Sequence, residues 1–329
     1  MTDAAQPKPT SGSFVTVLIA FLANLVVAIA KSVAALLTGS ASMTAEAAHS
    51  WADTGNEIFL IIAERRGARG PDERHPYGYG RDVYVWSLFA AVGLFTVGAV
   101  VSIMHGITEL SSDEPSEDSL IAYIVIAVSF VLEATSFLRS IQQLRGSAAE
   151  ADQEVLQHVL ATSDPTVRAV FFEDAAALVG LVLAAAGILL HQVTGSAVWD
   201  AIGSIAIGVL LAFVAVLLIQ LNRRFLIGQS PSPRVMTAVL RLLADQDDVA
   251  SVSYLHVEYV GPSRVFLVAA VDLVGDAPEH EIAARLASLG RAVEADEHVV
   301  EAILTLSRPG DERLVIAADP VATSTRLPR

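Results

Sequence analysis

The sequence predicts an α-helical membrane protein, with six transmembrane helices followed by a small cytoplasmic α+β domain. Three observations carry that reading. Of the 329 residues 53% are hydrophobic and only 17% charged, too apolar a balance for a soluble chain of this length. Long apolar runs recur at about 14–37, 43–63, 82–109, 119–138, 167–190 and 199–221, each near the ~20 residues a helix needs to cross the hydrocarbon core. Beyond Gly228 the composition becomes that of a soluble domain, with Pro231-Ser232-Pro233 marking the boundary. The expected division is a transmembrane domain over 1–228, a cytoplasmic α+β domain over 229–310 and a mobile tail over 311–329.

The first fourteen residues are polar, with Lys8 as their one cation, and the run after them is too long for a signal-peptide core, so it is read as a retained helix. The second and fifth runs are the weakest by hydropathy because they carry charges. Orientation follows from the arginines. Arg65, Arg66, Arg69, Arg74 and Arg81 lie between runs two and three, Arg139, Arg145 and Arg168 between four and five, and Arg223 and Arg224 just after six. The opposite connections, around 38–42, 110–118 and 191–198, hold no Lys or Arg, and the second of these contains SSDEPSED. Both termini are therefore expected on the cytoplasmic side of a multi-pass protein of the cell membrane.

Between runs four and five, 147–166 is polar but helix-friendly, and Asp164-Pro165 reads as a stop and restart. The C-terminal part shows a helical pattern at about 233–245 and alternating stretches VSYLHVEYV and RVFLVAAVDLV separated by Gly261-Pro262-Ser263. A helix at about 278–295 and a last strand near 299–307 complete a small layered domain of acidic balance. There are no cysteines, so disulfides and thiolate metal sites are excluded and any transition-metal ligands must be His, Asp or Glu. A net charge of −15 argues against a nucleic-acid partner; the lipid bilayer is the expected surroundings.

The second run contains MTAEAAHSWADTGNE. On a helix His49 and Asp53 lie one turn apart on one face, and Glu46 and Glu57 extend the same stripe. A charge at mid-membrane costs at least ~2.5–3.5 kcal/mol on insertion scales, and such residues normally face a bundle interior and mark an ion path. The plainer reading is that His49 and Asp53 pair with each other or bridge helices. The fifth run, VRAVFFEDAAALVG, offers Glu173 and Asp174 as a complement. Neighbouring acids point about 100° apart on a helix, so one of the two reaches the His49/Asp53 face while the other pairs elsewhere or contributes through a longer arm. One imidazole with two or three carboxylates suits a divalent transition metal, zinc first, with manganese, cobalt or iron as alternatives. Asn24, Lys31, Glu133 and Asp200 are read as interhelical pairs, relays or snorkelling groups, with Glu133 the deepest in an apolar run and a candidate for the pathway beside Glu46 and Glu57. No GxxxxGK[ST] suggests ATP coupling and no HExxH suggests an intramembrane metallohydrolase, so the chain is not expected to be an enzyme.

The HxxxD of His49 and Asp53, followed by HPYGYGR at 75–81, six spans and an α+β C-terminal domain, resembles the cation diffusion facilitators over nearly the whole chain. The resemblance implies a homodimeric, proton-coupled exporter of divalent metal working by alternating access, with partners that are metal ions and protons and no cofactor beyond the transported ion. It implies a ferredoxin/metallochaperone-like C-terminal domain. It also implies metal ligands at His49, Asp53 and Asp174. The family's second histidine falls on Val170, and Glu173 looks like its substitute, as in the branch with an acidic pair; that exchange of nitrogen for oxygen moves the site toward manganese or iron, while His49 favours zinc. A loop site in some members maps onto Asp72, His75 and Tyr79, with a structural turn as the alternative role. His256, Glu258, His280, Glu281, Asp296 and His298 map onto regulatory metal positions or a solvated surface. The missing histidine motivates the competing expectation of a metal-sensing or partner-binding membrane protein that has lost transport.

Overall fold

A computed structural model describes residues 11–111, 120–150, 153–228 and 230–315. Lys8, most of the acidic connection at 110–118 and the tail from 316 lie outside the described residues.

The chain divides into two compact units, one formed by the chain up to Arg65 together with Val83–Arg223, the other by Arg66–Asp82 together with the chain from Arg224 onward. The first unit is helical: α1 (Ser11–Thr38), α2 (Ala41–Gly67), α3 (Asp82–Gly93) continued through a π-helical segment (Leu94–Val100) into α4 (Val101–Glu109), α5 (Leu120–Glu150), the short α6 (Val155–Ala161), α7 (Pro165–Thr194) and α8 (Val198–Leu226). Among the described residues, five stretches are long and apolar enough to cross a membrane: Phe21–Thr38, Asp82–Glu109, Leu120–Ala149, Pro165–Thr194 and Val198–Leu226. The sixth long helix, α2, has the length but not the composition, because His49, Glu46, Asp53, Glu57 and Glu64 interrupt its apolar residues. The fifth predicted run is stronger than expected, since its two acids sit near one end and leave residues 175–190 apolar. The stop at Asp164 is realised as an N-cap, its carboxylate accepting from the Thr166 and Val167 amides with Pro165 opening the helix.

Small residues let the helices approach. A Cβ on Gly106 of α4 would lie 2.9 Å from the Ala201 carbonyl oxygen of α8, and one on Gly208 of α8 would lie 2.9 Å from the Ala99 carbonyl oxygen of the π segment. Packing of this kind, rather than exclusion from water, drives helices together in lipid. Around these contacts Met43, Leu94, Leu181, Ile207 and Leu211 form the buried centre. The carbonyls displaced in the π segment mark a local departure from α geometry that hydropathy does not signal.

Helix α2 is fixed at its start by α8. Ser40 caps it through the Met43 amide at 3.1 Å, and the fully enclosed Asp200 carboxylate accepts from the Ala41 amide at 2.6 Å, the Ser42 amide at 3.3 Å and the Ser40 hydroxyl at 3.0 Å. A carboxylate at a helix N-terminus satisfies orphan amides and complements the helix dipole.

The second unit has α9 (Pro233–Ala244), β1 (Val249–Gly261), β2 (Arg264–Leu273), α10 (Glu279–Val293) and β3 (Val299–Leu306), close to the predicted ranges. β1 pairs antiparallel with β2, as Val257 with Leu267, and β2 pairs parallel with β3, as Leu267 with Ala302. α9 packs on β1 and α10 on β3, enclosing Leu243, Val257, Leu267, Val271 and Val293. The connection from α2 to α3 joins this unit through an ion pair of Arg81 with Glu258 and a ring contact of Tyr77 with Phe266 at 5.1 Å between centroids.

Replacing Asp200 by Ala removes three acceptor contacts from the start of α2, at ~1 kcal/mol or more for each buried bond lost. Thermal unfolding in detergent should fall clearly for Asp200→Ala and by less for Asp200→Asn. Unchanged melting of Asp200→Ala would show that the cap is idle.

Candidate functional site

Four helices contribute to one cavity of about 600 Å³. Its wall takes Asn24 from the N-terminal half of α1, Asp53 and Glu57 from the middle of α2, Glu133, Ser136 and Arg139 from α5, and Glu173 and Asp174 from the N-terminal half of α7. These segments all lie toward the end of the unit where the arginines cluster in sequence. A second cavity of about 340 Å³ shares Ser136, Arg139 and Val170 with the first and continues to Gln143, Leu144 and Thr166, so open volume runs from Asp53 toward that end.

Five carboxylates thus face one space with Arg139 as the cation of its lining. Their partners are few. Asn24 donates to Glu57 at 2.7 Å, the Ser136 hydroxyl to Asp174 at 3.0 Å, and the Asn56 amide to both oxygens of Glu173. The sequence left open which of Glu173 and Asp174 faces α2. The 100° between them turns Glu173 to α2 and Asp174 to α5, and both remain in the cavity wall.

His49 is fully buried and lies behind Asp53 rather than in the lining. Its Nδ1 is 3.4 Å from Asp53 Oδ1, and among the described residues neither ring nitrogen has a hydrogen-bond partner, nor do Asp53 Oδ1 and Glu57 Oε2. Buried polar atoms are rarely left so, and groups of this kind ask for an ion or water. The donor set of one imidazole and several carboxylate oxygens fits a divalent cation. The predicted ligands are not drawn into a closed shell: among the described residues no group of three or more His, Asp or Glu is close enough to hold a metal ion. His49, Asp53, Glu173 and Asp174 therefore stand around a space, not around a point.

Glu46, expected along the path, is not in the cavity. It is fully buried and pairs with Lys31 of α1, Nζ to Oε2 at 2.9 Å. Asp200 is committed to capping α2. Sequence reasoning missed Asn56, Ser136 and Arg139. The signal for the first two was helical spacing, since Asn56 is three residues from Asp53 and Ser136 three from Glu133, on the same faces.

The loop residues form a turn. Asp72 accepts from the Arg74 amide at 2.9 Å, the His75 amide at 2.7 Å and the Tyr79 hydroxyl at 2.6 Å, while His75 Nδ1 lies 3.2 Å from the same carboxylate and its ring stacks on Tyr79. In the C-terminal domain Glu258 is taken by Arg81, and Asp296 accepts from the His298 amide at 2.9 Å in a turn before β3. His256 sits opposite Val268 in the sheet, and His280 and Glu281 lie in the first turn of α10.

Comparison with known proteins bears on what such a cavity serves. The profile of the cation efflux transmembrane domain matches residues 17–227. The chain belongs to the cation efflux family, the cation diffusion facilitators. Curated relatives of this cation efflux protein include Metal tolerance protein C4 of Arabidopsis thaliana, 38% identical over 231 residues, covering 70% of this chain and 50% of that protein. Proton-coupled zinc antiporter SLC30A9, mitochondrial, is 38% identical in Xenopus laevis and 34% in Homo sapiens, each over 245 residues and 74% of this chain, with 44% and 43% of those proteins covered. The cation efflux chain spans about half the length of these relatives.

Hydrogen bonds from Tyr79, and from the backbone and ring of His75, hold the exposed Asp72 carboxyl down at about 2. A depressed carboxylate favours the ordered turn above its ordinary pKa of 3.8, and that contribution disappears as pH falls through about 2. In an NMR titration Asp72 should titrate near 2, and Tyr79→Phe should move it up toward 3.8. An ordinary midpoint in the wild type would mean the turn is not formed in solution.

Proposed function

We propose that this protein exports a divalent metal cation, zinc first, with manganese, iron or cobalt as further cargo, in exchange for protons. The carrying observation is the cavity lined by Asp53, Glu57, Glu133, Glu173 and Asp174, backed by His49, whose ring nitrogens have no hydrogen-bond partner among the described residues. Five carboxylates around one arginine are a cost in an apolar bundle unless a cation or protons answer them. The names of the zinc antiporter relatives support the same cargo and coupling.

In this reading α2 is the sixth span beside the five apolar ones, both termini face the cytoplasm, and the chain resides in the cell membrane as a homodimer. The arginine-rich connections support the orientation. The cavity then opens to the cytoplasm, where metal enters to Asp53, Asp174 and Glu173, with His49 completing the shell after a modest closure. Ligation needs a neutral imidazole and ionised carboxylates, so protons compete with metal for the same atoms. Protons arriving from outside displace the ion and are released inward when the site faces the cytoplasm again. The inward proton gradient drives metal outward. Glu173, in place of a nitrogen ligand at Val170, is the acidic substitution that tunes metal preference, and Asn56 holds it. The helix-strand-strand-helix-strand order supports reading the C-terminal domain as a ferredoxin-like fold without its first strand.

Proton-driven zinc flux in proteoliposomes tests the reading. Asp53→Ala and Asp174→Ala should each lower flux by about tenfold or more, the scale of losing an interaction essential to the bound state. Flux that is unchanged in both variants rules out this site. A wild type that binds zinc but carries none favours instead the metal-sensing or partner-binding role.

A further inference from the structure

The Lys31–Glu46 pair is the feature that the cavity does not use. It lies in the other half of the helical unit: Lys31 toward the C-terminal end of α1, Glu46 in the second turn of α2. Both side chains are 0% exposed. Taking two charges out of water has a desolvation cost that a single ion pair often fails to repay, so stability alone is a weak reason for such a pair. The pair is also incompletely satisfied. Glu46 Oε1 has no hydrogen-bond partner among the described residues. It faces Gly180 of α7, where a Cβ would collide with that oxygen. The absence of a side chain at Gly180 is what seats the carboxylate.

Position gives the pair its meaning. Along α2 the order is Glu46, His49, Asp53, Glu57, each about one turn from the next. The open volume reaches Asp53 on α2 and Ala177 on α7 and goes no further. The next groups along the same two helices are His49, then Glu46 against Gly180. The pair therefore closes the bundle one to two turns beyond the site, where α1, α2 and α7 meet. Lys31 is also within electrostatic reach of Asp53 and Glu133 in the cavity wall.

We propose that Lys31 and Glu46 form the outer gate of the cation path, in which Lys31 masks a second carboxylate station. While the cavity is open at Asp53, the ammonium occupies Glu46 and keeps ion and water from passing between α2 and α7. When the path opens on the other side, a departing divalent cation takes the Glu46 carboxylate and the ammonium moves toward Asp53 and Glu133, which the ion has just left. This inference rests on the export reading for the direction of passage.

The test uses the full chain with the double variant Lys31→Met/Glu46→Gln, in which both charges are removed at similar volume. Ala184→Cys, a fully buried position one turn beyond Gly180, supplies a reporter in a chain that has no cysteine of its own. Three readouts are taken: zinc binding in detergent, proton-driven zinc flux, and labelling by a membrane-impermeant maleimide from the outer side. A gate predicts binding within about twofold of wild type, flux lower by about tenfold, and faster labelling, since the inner ligands are intact and only passage is altered. Wild-type flux and labelling in the double variant would mean that the pair is mere charge compensation and would overturn the gate. Should the double variant lose zinc binding, Gly180→Ala decides: it displaces the Glu46 carboxylate with both charges kept, and labelling at the wild-type rate overturns the proposal while faster labelling upholds it. A wild type without flux refutes the export reading instead, and the labelling arm still judges the closure.

Discussion

Every charge placed inside an apolar helical bundle has to be answered by a counter-charge, a hydrogen bond or a bound ion, and the helical unit is organised by how its acids are answered. In one half most of the answers are supplied by protein partners: Asp200 is spent on the first amides of α2, and one oxygen of Glu46 on Lys31. In the other half they are not. Asp53, Glu57, Glu133, Glu173 and Asp174 share one space, with single amide or hydroxyl donors on three of them and Arg139 at the rim. The contrast between a half whose acids are paired with protein groups and a half whose acids share open volume is what supports reading the cavity as a place for a cation.

Helix α2 is the element that joins the two. Its N-terminus is held by Ser40 and Asp200, and its middle presents Asp53 and Glu57 to the cavity. Because it carries so many polar groups it is the least apolar of the long helices, and it depends on neighbours for what lipid cannot supply. Small residues at Gly106 and Gly208 bring α4 and α8 into contact close enough to make a firm support on which Asp200 is mounted. Interfaces of this kind change by discrete repacking rather than by continuous deformation.

Much of this was legible in the sequence. Hydropathy marked the long helices, Asp164-Pro165 marked the break before α7, and alternation with the Gly261-Pro262-Ser263 turn marked the sheet. The HxxxD spacing of His49 and Asp53 and the adjacency of Glu173 and Asp174 pointed to the polar interior because helical periodicity alone decides which residues share a face. What periodicity could not decide was depth and partner. His49 lies behind Asp53, Glu46 turns to Lys31 instead of the path, and Asn56 meets Glu173. Those outcomes depend on the rotation of α1, α2 and α7 about their own axes, which is set by packing between helices far apart in sequence. The role of Asp200 was hidden for the same reason, since its partners are about 160 residues away. The π segment had no signature because it is a change of hydrogen-bond register, not of composition.

The central claim is that protons and a divalent cation compete for the acidic cavity. Calorimetric titration of zinc into the purified protein, repeated in buffers of different ionisation enthalpy, measures that competition directly. The account predicts saturable binding accompanied by proton release, with both lost when Asp53 is replaced by Asn. Binding without proton release, or binding indifferent to Asp53, would contradict it.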